Sequence, residues 1–315
     1  MLPYNDFASY LRRRFPFKVQ KLSINGGRSC PNRDGSLGRG GCTYCNNAAF
    51  SPAYCLEGAS VEEQIAEGIR FFAYKYPDMR YLAYFQSYTG TYGDAEQLAA
   101  VFEEALRHPR IAGLIIGTRP DCMPDLLLKD LAEMARRGFV MIEYGVESTV
   151  DESLARINRG HSFGCSAEAI RRTHACGIAV GAHLIIGLPG ESREQILGHA
   201  DRLSELPLTS LKMHQLQIVR HTQMAAEWEA SPERFRLYSP EEYIELAIDF
   251  LERLNPAIAV ERFVSQSPAG LLLAPSWGLK NHEITARIVR RMHERGAVQG
   301  SAVGIPGAAP MSKPE

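Results

Sequence analysis

The chain has 315 residues, of which 45% are apolar, and its 35 basic residues nearly balance its 36 acidic ones. This balance excludes a strong overall field that would attract nucleic acid or a membrane surface. The length and apolar content suit a single α/β barrel with a sizeable core. No apolar run approaches the roughly 18 residues of a membrane span, and the polar N-terminus lacks the apolar core of a secretory signal. The sequence therefore predicts a soluble, cytoplasmic protein without a membrane partner.

Residues 1–20 are predicted to form a short helix, 5–14, followed by an extended lead-in. Arg12, Arg13 and Arg14 form a local basic run at the end of this helix, and Lys18 and Lys21 follow it. Two interpretations stay open, because such a run is either the solvated end of a helix or a surface that contacts phosphates.

Apolar β-type runs then alternate with amphipathic helical stretches between residues 21 and 238. Strands are predicted at 21–25, 80–85, 113–117, 139–146, 178–186 and 210–219. Helices are predicted at 60–74, 94–107, 124–137, 166–176 and 192–205. Ser60 and Glu63 have the spacing of a capping box at the start of the first of these helices. The rhythm predicts an α/β fold, a partial (β/α)6 barrel with its chemistry at the carboxyl ends of parallel strands.

Residues 239–296 are predicted to form a C-terminal α/β extension that covers the barrel. It contains a helix from Ser239, a strand near 258–263, an apolar run at 271–273 and a last helix at 283–295. Residues 297–315 are rich in Gly, Pro and Ala, which predicts a disordered tail.

Seven cysteines, an odd number, disfavour a secreted disulfide framework. Cys30, Cys42 and Cys45 share one loop, whose glycines allow a tight turn around a bulky inorganic group. Two metal sites stay open. Zinc needs four ligands, for which Cys55 is the nearest candidate, although a second cysteine pair is missing. A [4Fe–4S] cluster fits better, because three thiolates leave its fourth iron open for another ligand.

The loop CPNRDGSLGRGGCTYC at 30–45 resembles the cluster loop of radical S-adenosylmethionine enzymes. Its first two cysteines are separated by eleven residues, where the commonest form has three. This longer gap resembles the elongator-catalytic-subunit-like branch and, within it, the YhcC/YtqA-like bacterial family. Further motifs similar to that family are FQSYT at 85–89, TRPDC at 118–122, INRGH at 157–161 and GLPGE at 187–191. The resemblance covers residues 15–295 and implies a radical-SAM partial barrel.

The resemblance implies that Cys30, Cys42 and Cys45 hold a [4Fe–4S] cluster that cleaves S-adenosylmethionine reductively and yields a 5′-deoxyadenosyl radical. It also implies a reducing electron donor such as flavodoxin or ferredoxin. The cofactor residues that it implies are Gln86 and Ser87 at the methionine amino group, Tyr44 at the adenine, Glu147 and His183 at the ribose, and Arg159 at the carboxylate. Glu143 faces inward by alternation, either to support the cofactor or to pair with Arg119.

Residues that contact substrate are expected late in the barrel. The candidates are Tyr88, His214, Gln217 and His221, with positive charge added by Lys212, Arg220 and Arg262. The resemblance implies that the substrate is the wobble uridine of tRNA, with removal of a carboxymethyl group from its side chain. Two alternatives stay open: radical oxidative decarboxylation of a porphyrinogen-type molecule, and a non-enzymatic metal-cluster protein that binds RNA.

Overall fold

The structure, a computed structural model, describes residues 2–49, 52, 54–55, 58–73 and 78–303. Its strands are, in chain order, β1 (Val19–Ile24), β2 (Arg80–Phe85), β3 (Ile111–Thr118), β4 (Phe139–Glu147), β5 (Ala179–Ile186), β6 (Ser210–Gln215), β7 (Ile218–Val219), β8 (Ala259–Arg262) and β9 (Leu272–Ala274). One parallel sheet has the order β1-β2-β3-β4-β5-β6-β8, and β7 pairs with β9 antiparallel. The parallel sheet curls so far that Lys21 on β1 forms an ion pair with Glu261 on β8, at 2.6 Å.

The helices are, in chain order, α1 (Phe7–Arg14), α2 (Pro31–Asp34), α3 (Val61–Ala73), α4 (Ala95–Arg107), α5 (Asp125–Arg137), α6 (Asp151–Arg156), α7 (Phe163–Ala175), α8 (Arg193–Ser204), α9 (Gln223–Ala230), α10 (Pro240–Arg253) and α11 (Asn281–Arg295). The capping box predicted before α3 is confirmed, because Ser60 N donates to Glu63 at 2.8 Å and Glu63 N donates to Ser60 Oγ at 3.2 Å. No helix in the described part of the chain has the length and apolarity that a membrane crossing requires.

Strand β4 shows how the sequence forms the barrel wall. All of its residues are buried, as expected for a parallel strand that is covered on both faces. Val140 and Ile142 pack with the surrounding helices, whereas Phe139 and Met141 belong to the packing inside the barrel. The same alternation continues along the strand. Glu143, Gly145 and Glu147 therefore point inward.

The predicted partial barrel is confirmed, with local differences. Strand β8 continues the parallel sheet as a seventh strand, although the sequence analysis assigned it to the C-terminal extension. The single strand predicted at 210–219 divides into β6 and β7, because the chain leaves the parallel sheet after Gln215 and then pairs with β9. The end predicted for the helix at 60–74, Tyr74, lies outside the described residues.

Helix α1 closes the end of the barrel where the strands begin. The backbone before it joins β8, where Asn5 O accepts a hydrogen bond from Val260 N at 2.7 Å. After it, Phe15 packs edge-on against Phe139, the first residue of β4, with 5.6 Å between the ring centroids. The basic run at the end of α1 is therefore located at the amino ends of the strands, opposite the end where their chemistry is expected.

Residues 297–303, which the sequence assigned to a disordered tail, are folded against the barrel. Ala297 and Gln299 are buried, at 3% and 4% exposure. The Gln299 side chain donates to Asn255 O and to Ile258 O, both at 2.9 Å, and its amide oxygen accepts from Asn5 N. Composition misses these contacts because most of the partners are distant in sequence, as where Gly300 N donates to Leu251 O at 3.0 Å. The rest of the predicted tail, 304–315, lies outside the described residues.

Candidate active site

A cavity of about 310 Å³ opens at the carboxyl ends of the parallel strands. It joins the cysteine loop after β1 to the ends of the later strands and to Arg262 on β8. The predicted site residues that line it are Cys30, Cys42, Tyr44, Cys45, Gln86, Tyr88, Glu147, Arg159, His183, His214 and Gln217. The fold therefore brings together residues that are almost 190 positions apart in sequence, as the carboxyl ends of parallel strands are expected to do.

Two predicted site residues lie elsewhere. Ser87 is buried on the other side of the strand end, in a separate small cavity beside Phe85 and Gly90. Neighbouring residues of an extended chain point to opposite faces, so Gln86 and Ser87 do not both face the main cavity. His221 is an exposed residue with φ of 62° in the turn after β7, and it does not line the cavity.

The cysteine loop is fixed by the segment that follows α6. Asn158 Nδ2 donates to Gly41 O at 2.9 Å, and Asn32 Nδ2 donates to Asn158 O at 2.5 Å. Thr43 N donates to the backbone oxygen of Ile157 at 3.0 Å. Gly41 has φ of 82°, a conformation that glycine adopts without steric cost. These bonds join two motifs that are distant in sequence, the cysteine loop and INRGH.

The sulfur environment suits a thiolate-bound cluster. The side chains of Cys30, Cys42 and Cys45 line one cavity, and N–H groups of Arg159 and Asn32 approach Cys42 Sγ at 3.5 and 3.7 Å. Hydrogen bonds to cluster sulfurs tune such centres. As a free thiol Cys45 has its pKa raised to about 11, mainly by burial. In the described ranges, no three His, Cys, Asp or Glu side chains converge as ligands of a single metal ion.

Cys55 does not line the cavity with the other three cysteines. Its thiol donates to Ser23 O at 3.1 Å, and burial raises its pKa to about 11. The cavity therefore offers three thiol ligands, which is the number that leaves one iron of a [4Fe–4S] cluster open.

Glu147 and Arg159 form a buried polar pair beside the cysteines, with 3.8 Å between Nη2 and Oε1. Arg159 also donates to Gly145 O at 2.5 Å. A Cβ at position 145 would come within 2.5 Å of the Glu147 carboxylate and 2.6 Å of the Arg159 guanidinium, so the glycine makes room for both. Burial raises the pKa of Glu147, which Arg159 and a hydrogen bond from Tyr44 partly oppose.

Several polar groups on this side of the cavity are buried and have no hydrogen-bond partner among the residues that the structure describes. They are Arg159 Nε, Arg119 Nη1 and Thr89 Oγ1. Glu147 also has φ of 66°, which is strained for a residue with a side chain. Buried polar groups are normally satisfied. Unsatisfied donors and local strain at one place therefore fit a site that a polar ligand completes.

An ion layer lies beneath the cavity, formed by Lys21, Glu143, Lys212 and Glu261. Glu143 is 1% exposed and accepts from Lys21 at 2.5 Å and from Lys212 at 2.8 Å. Glu261 pairs with the same two lysines, at 2.6 and 3.2 Å. Glu143 is thus the partner of lysines, whereas Arg119 pairs with Asp121. Lys21, which the sequence grouped with the basic run, and Lys212, which it placed near the substrate, are both enclosed in this layer.

The histidines sit between the ion layer and the cavity. His183 Nε2 lies 2.9 Å from Glu143, and its pKa is lowered to about 4 by burial and then by Lys212. The pKa of His214 is also lowered, by burial and by Arg262. Both rings are therefore neutral near pH 7. His183 has its Nε2 directed at Glu143, so the ribose role implied for it stays a prediction.

Gln217 is held by the loop that follows β8. Its amide nitrogen donates to Ser265 O at 3.1 Å, and its amide oxygen accepts from Ser267 Oγ at 2.8 Å. Gln215 forms a similar pair of bonds with the backbone of Ser265. Both ends of the Gln217 amide are thus used to fix the loop, which brings Ser265 and Gln266 to the cavity wall.

Comparison with known protein families identifies the chain. Residues 24–203 match the model of the Radical SAM superfamily, and residues 208–294 match the Radical_SAM C-terminal domain. The chain belongs to the radical SAM superfamily. It is a radical SAM enzyme, and the family implies an iron–sulfur cluster and S-adenosylmethionine as cofactors.

Relatives of this radical SAM enzyme support the elongator-like branch. Protein YhcC of Escherichia coli is 38% identical over 97% of each chain, and YtqA of Bacillus subtilis is 32% identical over 94% of this chain and 92% of that one. The tRNA uridine(34) acetyltransferase of Methanocaldococcus infernus is 26% identical over 63% of this chain but only 36% of its own length. The solved Elp3 structure from that archaeon has the same fold, with a TM-score of 0.66 and 17% identity over 90% of this chain and 64% of that one.

Proposed function

We propose that this radical SAM enzyme binds a [4Fe–4S] cluster on Cys30, Cys42 and Cys45 and acts on the side chain of a modified wobble uridine in tRNA. Cluster binding is supported by one observation: three thiols and the buried Glu147–Arg159 pair line the same cavity. The expected outcome for the nucleoside is the loss of a carboxymethyl group from its side chain.

The chain's own residues would hold and protect the cofactors. When bound, the cluster and S-adenosylmethionine supply an electron and a 5′-deoxyadenosyl radical that removes a hydrogen atom from the substrate. Arg159 would bind the methionine carboxylate, since a guanidinium fits two oxygens. Glu147 would accept from the ribose hydroxyls, and Tyr44, Gln86 and His183 would complete the pocket. The ion layer and α1 close the barrel below and limit the entry of water.

The substrate part of the proposal has separate support. A relative at 26% identity, matched over 63% of this chain, is named for its action on uridine 34 of tRNA. The cavity is also lined by four arginines, Arg33, Arg119, Arg159 and Arg262, which favour an anionic ligand. We further propose that flavodoxin or ferredoxin supplies the electron and that the enzyme acts in the cytoplasm.

The decisive experiment is mass spectrometry of tRNA nucleosides from a strain that lacks this protein. A carboxymethyl-bearing wobble uridine should accumulate, and its normal product should disappear. The wild-type gene and a Cys176→Ala variant should restore the product, because Cys176 is exposed and outside the cavity, whereas Cys42→Ala should not. Unaltered wobble nucleosides in the deletion strain would exclude the assignment to tRNA.

A further inference from the structure

Arg262 carries a positive charge that the ion layer does not neutralise. Its neighbour on β8, Glu261, turns to Lys21 and Lys212, while the Arg262 guanidinium lines the cavity. Within the described ranges, no carboxylate forms an ion pair with Arg262, and its Nε is buried without a hydrogen-bond partner. Arg262 as a whole is half-buried, so water reaches part of the group, but a ligand that accepted from the buried Nε would remove the desolvation cost of that atom.

The groups around Arg262 keep this charge available. Its Nη2 lies 3.1 Å from His214 Nδ1, and the His214 ring lies 5.5 Å from that of His183, centroid to centroid. Both rings are neutral near pH 7, so they neither add to the charge nor cancel it. Among the described residues, Lys21 and Lys212 pair with the two carboxylates of the ion layer, whereas Arg262 pairs with neither. One positive charge is left, and it borders the cavity.

We infer that Arg262 is a specificity-determining residue that binds a carboxylate on the side chain of the substrate base. This inference rests on the proposed function and names the chemical group that the site selects. An arginine with unengaged N–H groups offers a planar fork that matches the two oxygens of a carboxylate. No such match is available from the lysines, which are already paired.

The position of Arg262 favours a substrate carboxylate as its ligand over two other anionic groups, the carboxylate of S-adenosylmethionine and an RNA phosphate. In the proposed function, the carboxylate of S-adenosylmethionine would be held by Arg159, whose Nη1 is 3.5 Å from Cys42 Sγ. Arg262 instead lies on the last strand of the sheet, in register with Lys212 of the buried ion layer. A base can enter the cavity and carry its side chain as far as Arg262. A phosphate stays in the RNA backbone and reaches Arg262 less readily.

The test measures binding of three anticodon stem-loops to the anaerobically reconstituted enzyme in the presence of S-adenosylmethionine and without reductant. The loops carry 5-carboxymethylaminomethyluridine, 5-aminomethyluridine or plain uridine at the wobble position. Their phosphates are identical, and only the first has a carboxylate. The variants are Arg262→Gln, Arg262→Lys and, as a matched control, Arg220→Gln, because Arg220 is exposed and outside the cavity.

The wild-type enzyme should bind the carboxylated loop about 10- to 100-fold more tightly than the aminomethyl loop, as expected for a charge-assisted pair. Arg262→Gln should bind these two loops equally, with unchanged iron content and unchanged affinity for S-adenosylmethionine. Arg220→Gln should keep the wild-type preference. Arg262→Lys keeps the charge without the fork and should retain part of the preference, which provides the test if Arg262→Gln does not fold.

Other results would overturn the inference in distinct ways. Equal weakening of all three loops by Arg262→Gln would assign the residue to a backbone phosphate. Weaker binding of S-adenosylmethionine with an intact loop preference would assign it to the cofactor. A full preference in Arg262→Lys would exclude the two-oxygen geometry. Wild-type binding of the loops without preference would overturn this inference alone, whereas binding of none of them would overturn the proposed function.

Discussion

The two sides of the cavity differ in how completely their polar groups are satisfied. On the cysteine side, Arg159 and Arg119 each have a buried nitrogen without a partner in the described residues, and Glu147 has a strained backbone. On the opposite side, Glu143 accepts bonds from two lysines and lies 2.9 Å from His183. One side thus needs a ligand to complete it, and the other is complete in itself apart from Arg262.

This difference separates binding from support. A satisfied buried network makes a region rigid, because moving any member would leave another charge unpaired in a low dielectric. Unsatisfied buried donors instead favour ligand binding, because a bound cofactor removes their desolvation cost. We therefore expect substitutions on the cysteine side to change cofactor binding, and substitutions in the ion layer to change stability.

The largest effect is expected from the cysteines. Replacing Cys30, Cys42 or Cys45 with Ala should abolish the cluster, because in the proposed function each would provide one iron ligand. Cys55→Ala should leave the iron content unchanged, since its thiol bonds to Ser23 O outside the cavity. Iron analysis and visible absorbance after anaerobic reconstitution provide the measurement. If Cys55 were as necessary as the other three, a closed four-cysteine site would replace the open-iron cluster.

The next largest effect is expected from the ion layer. Glu143→Ala should lower the free energy of unfolding by about 3–5 kcal/mol, because it leaves two lysines to share one remaining carboxylate, Glu261. The matched control is Glu133→Ala, which breaks an exposed ion pair with Arg136 and should change stability by less than about 0.5 kcal/mol. Denaturant titration of the apoprotein measures both. Equal effects of the two substitutions would show that the ion layer is not a structural support.

A smaller effect is expected at the Glu147–Arg159 pair. Arg159→Ala should weaken binding of S-adenosylmethionine by about 1–3 kcal/mol through the loss of a charge-assisted hydrogen bond. Glu147→Ala should weaken it by a similar amount, and iron content should stay intact in both. Isothermal titration of the reconstituted protein measures the affinity.

Gly145→Ala tests the same pair without removing a charge, because the added Cβ meets both side chains. Its control is Gly198→Ala, where a Cβ meets no atom within 4 Å. We expect weaker cofactor binding only in Gly145→Ala. Wild-type affinity in Arg159→Ala, Glu147→Ala and Gly145→Ala would remove these residues from the cofactor site.

The smallest effect is expected from the basic run on α1. Reversing the charges of Arg12, Arg13 and Arg14 should leave the affinity for a carboxylated anticodon stem-loop within about 3-fold, a change of under about 1 kcal/mol. We expect this small effect because the three arginines lie at the amino ends of the strands, away from the cavity. Fluorescence anisotropy at several salt concentrations measures the affinity. A loss of affinity together with a flatter salt dependence would mean that RNA reaches around to that end.

Local sequence signals predicted the barrel well because they act over few residues. The buried run of β4 and the capping box at Ser60 need only neighbours along the chain. The cysteine loop was also evident, since its spacing is itself local. Ser87 was misplaced although the signal was present, because alternation with Gln86 already forbids both from facing one cavity.

The ion layer was missed for a different reason. Lys21 meets partners that are 122 and 240 residues away, so no pattern around it distinguishes a buried lysine from a solvated one. The sequence indicated Arg262 only as one more positive charge. Its lack of a carboxylate partner among the described residues becomes evident in the structure, where Glu261 pairs with Lys21 and Lys212 instead. The position of α1 depends in the same way on contacts with β4 and β8 that no local pattern encodes.

The bond between the two ends of the described chain sets an order for synthesis on the ribosome. Asn5 needs Val260 and Gln299 as partners, and Gln299 N donates to Pro3 O at 3.0 Å. At about 5–20 residues per second, Gln299 emerges roughly 15–60 s after the first residue. For most of that interval Phe7 has no β8 to pack beside, and Lys21 has no Glu261. We therefore expect the nascent chain to expose an open barrel to chaperones until β8 and Gln299 have been synthesised.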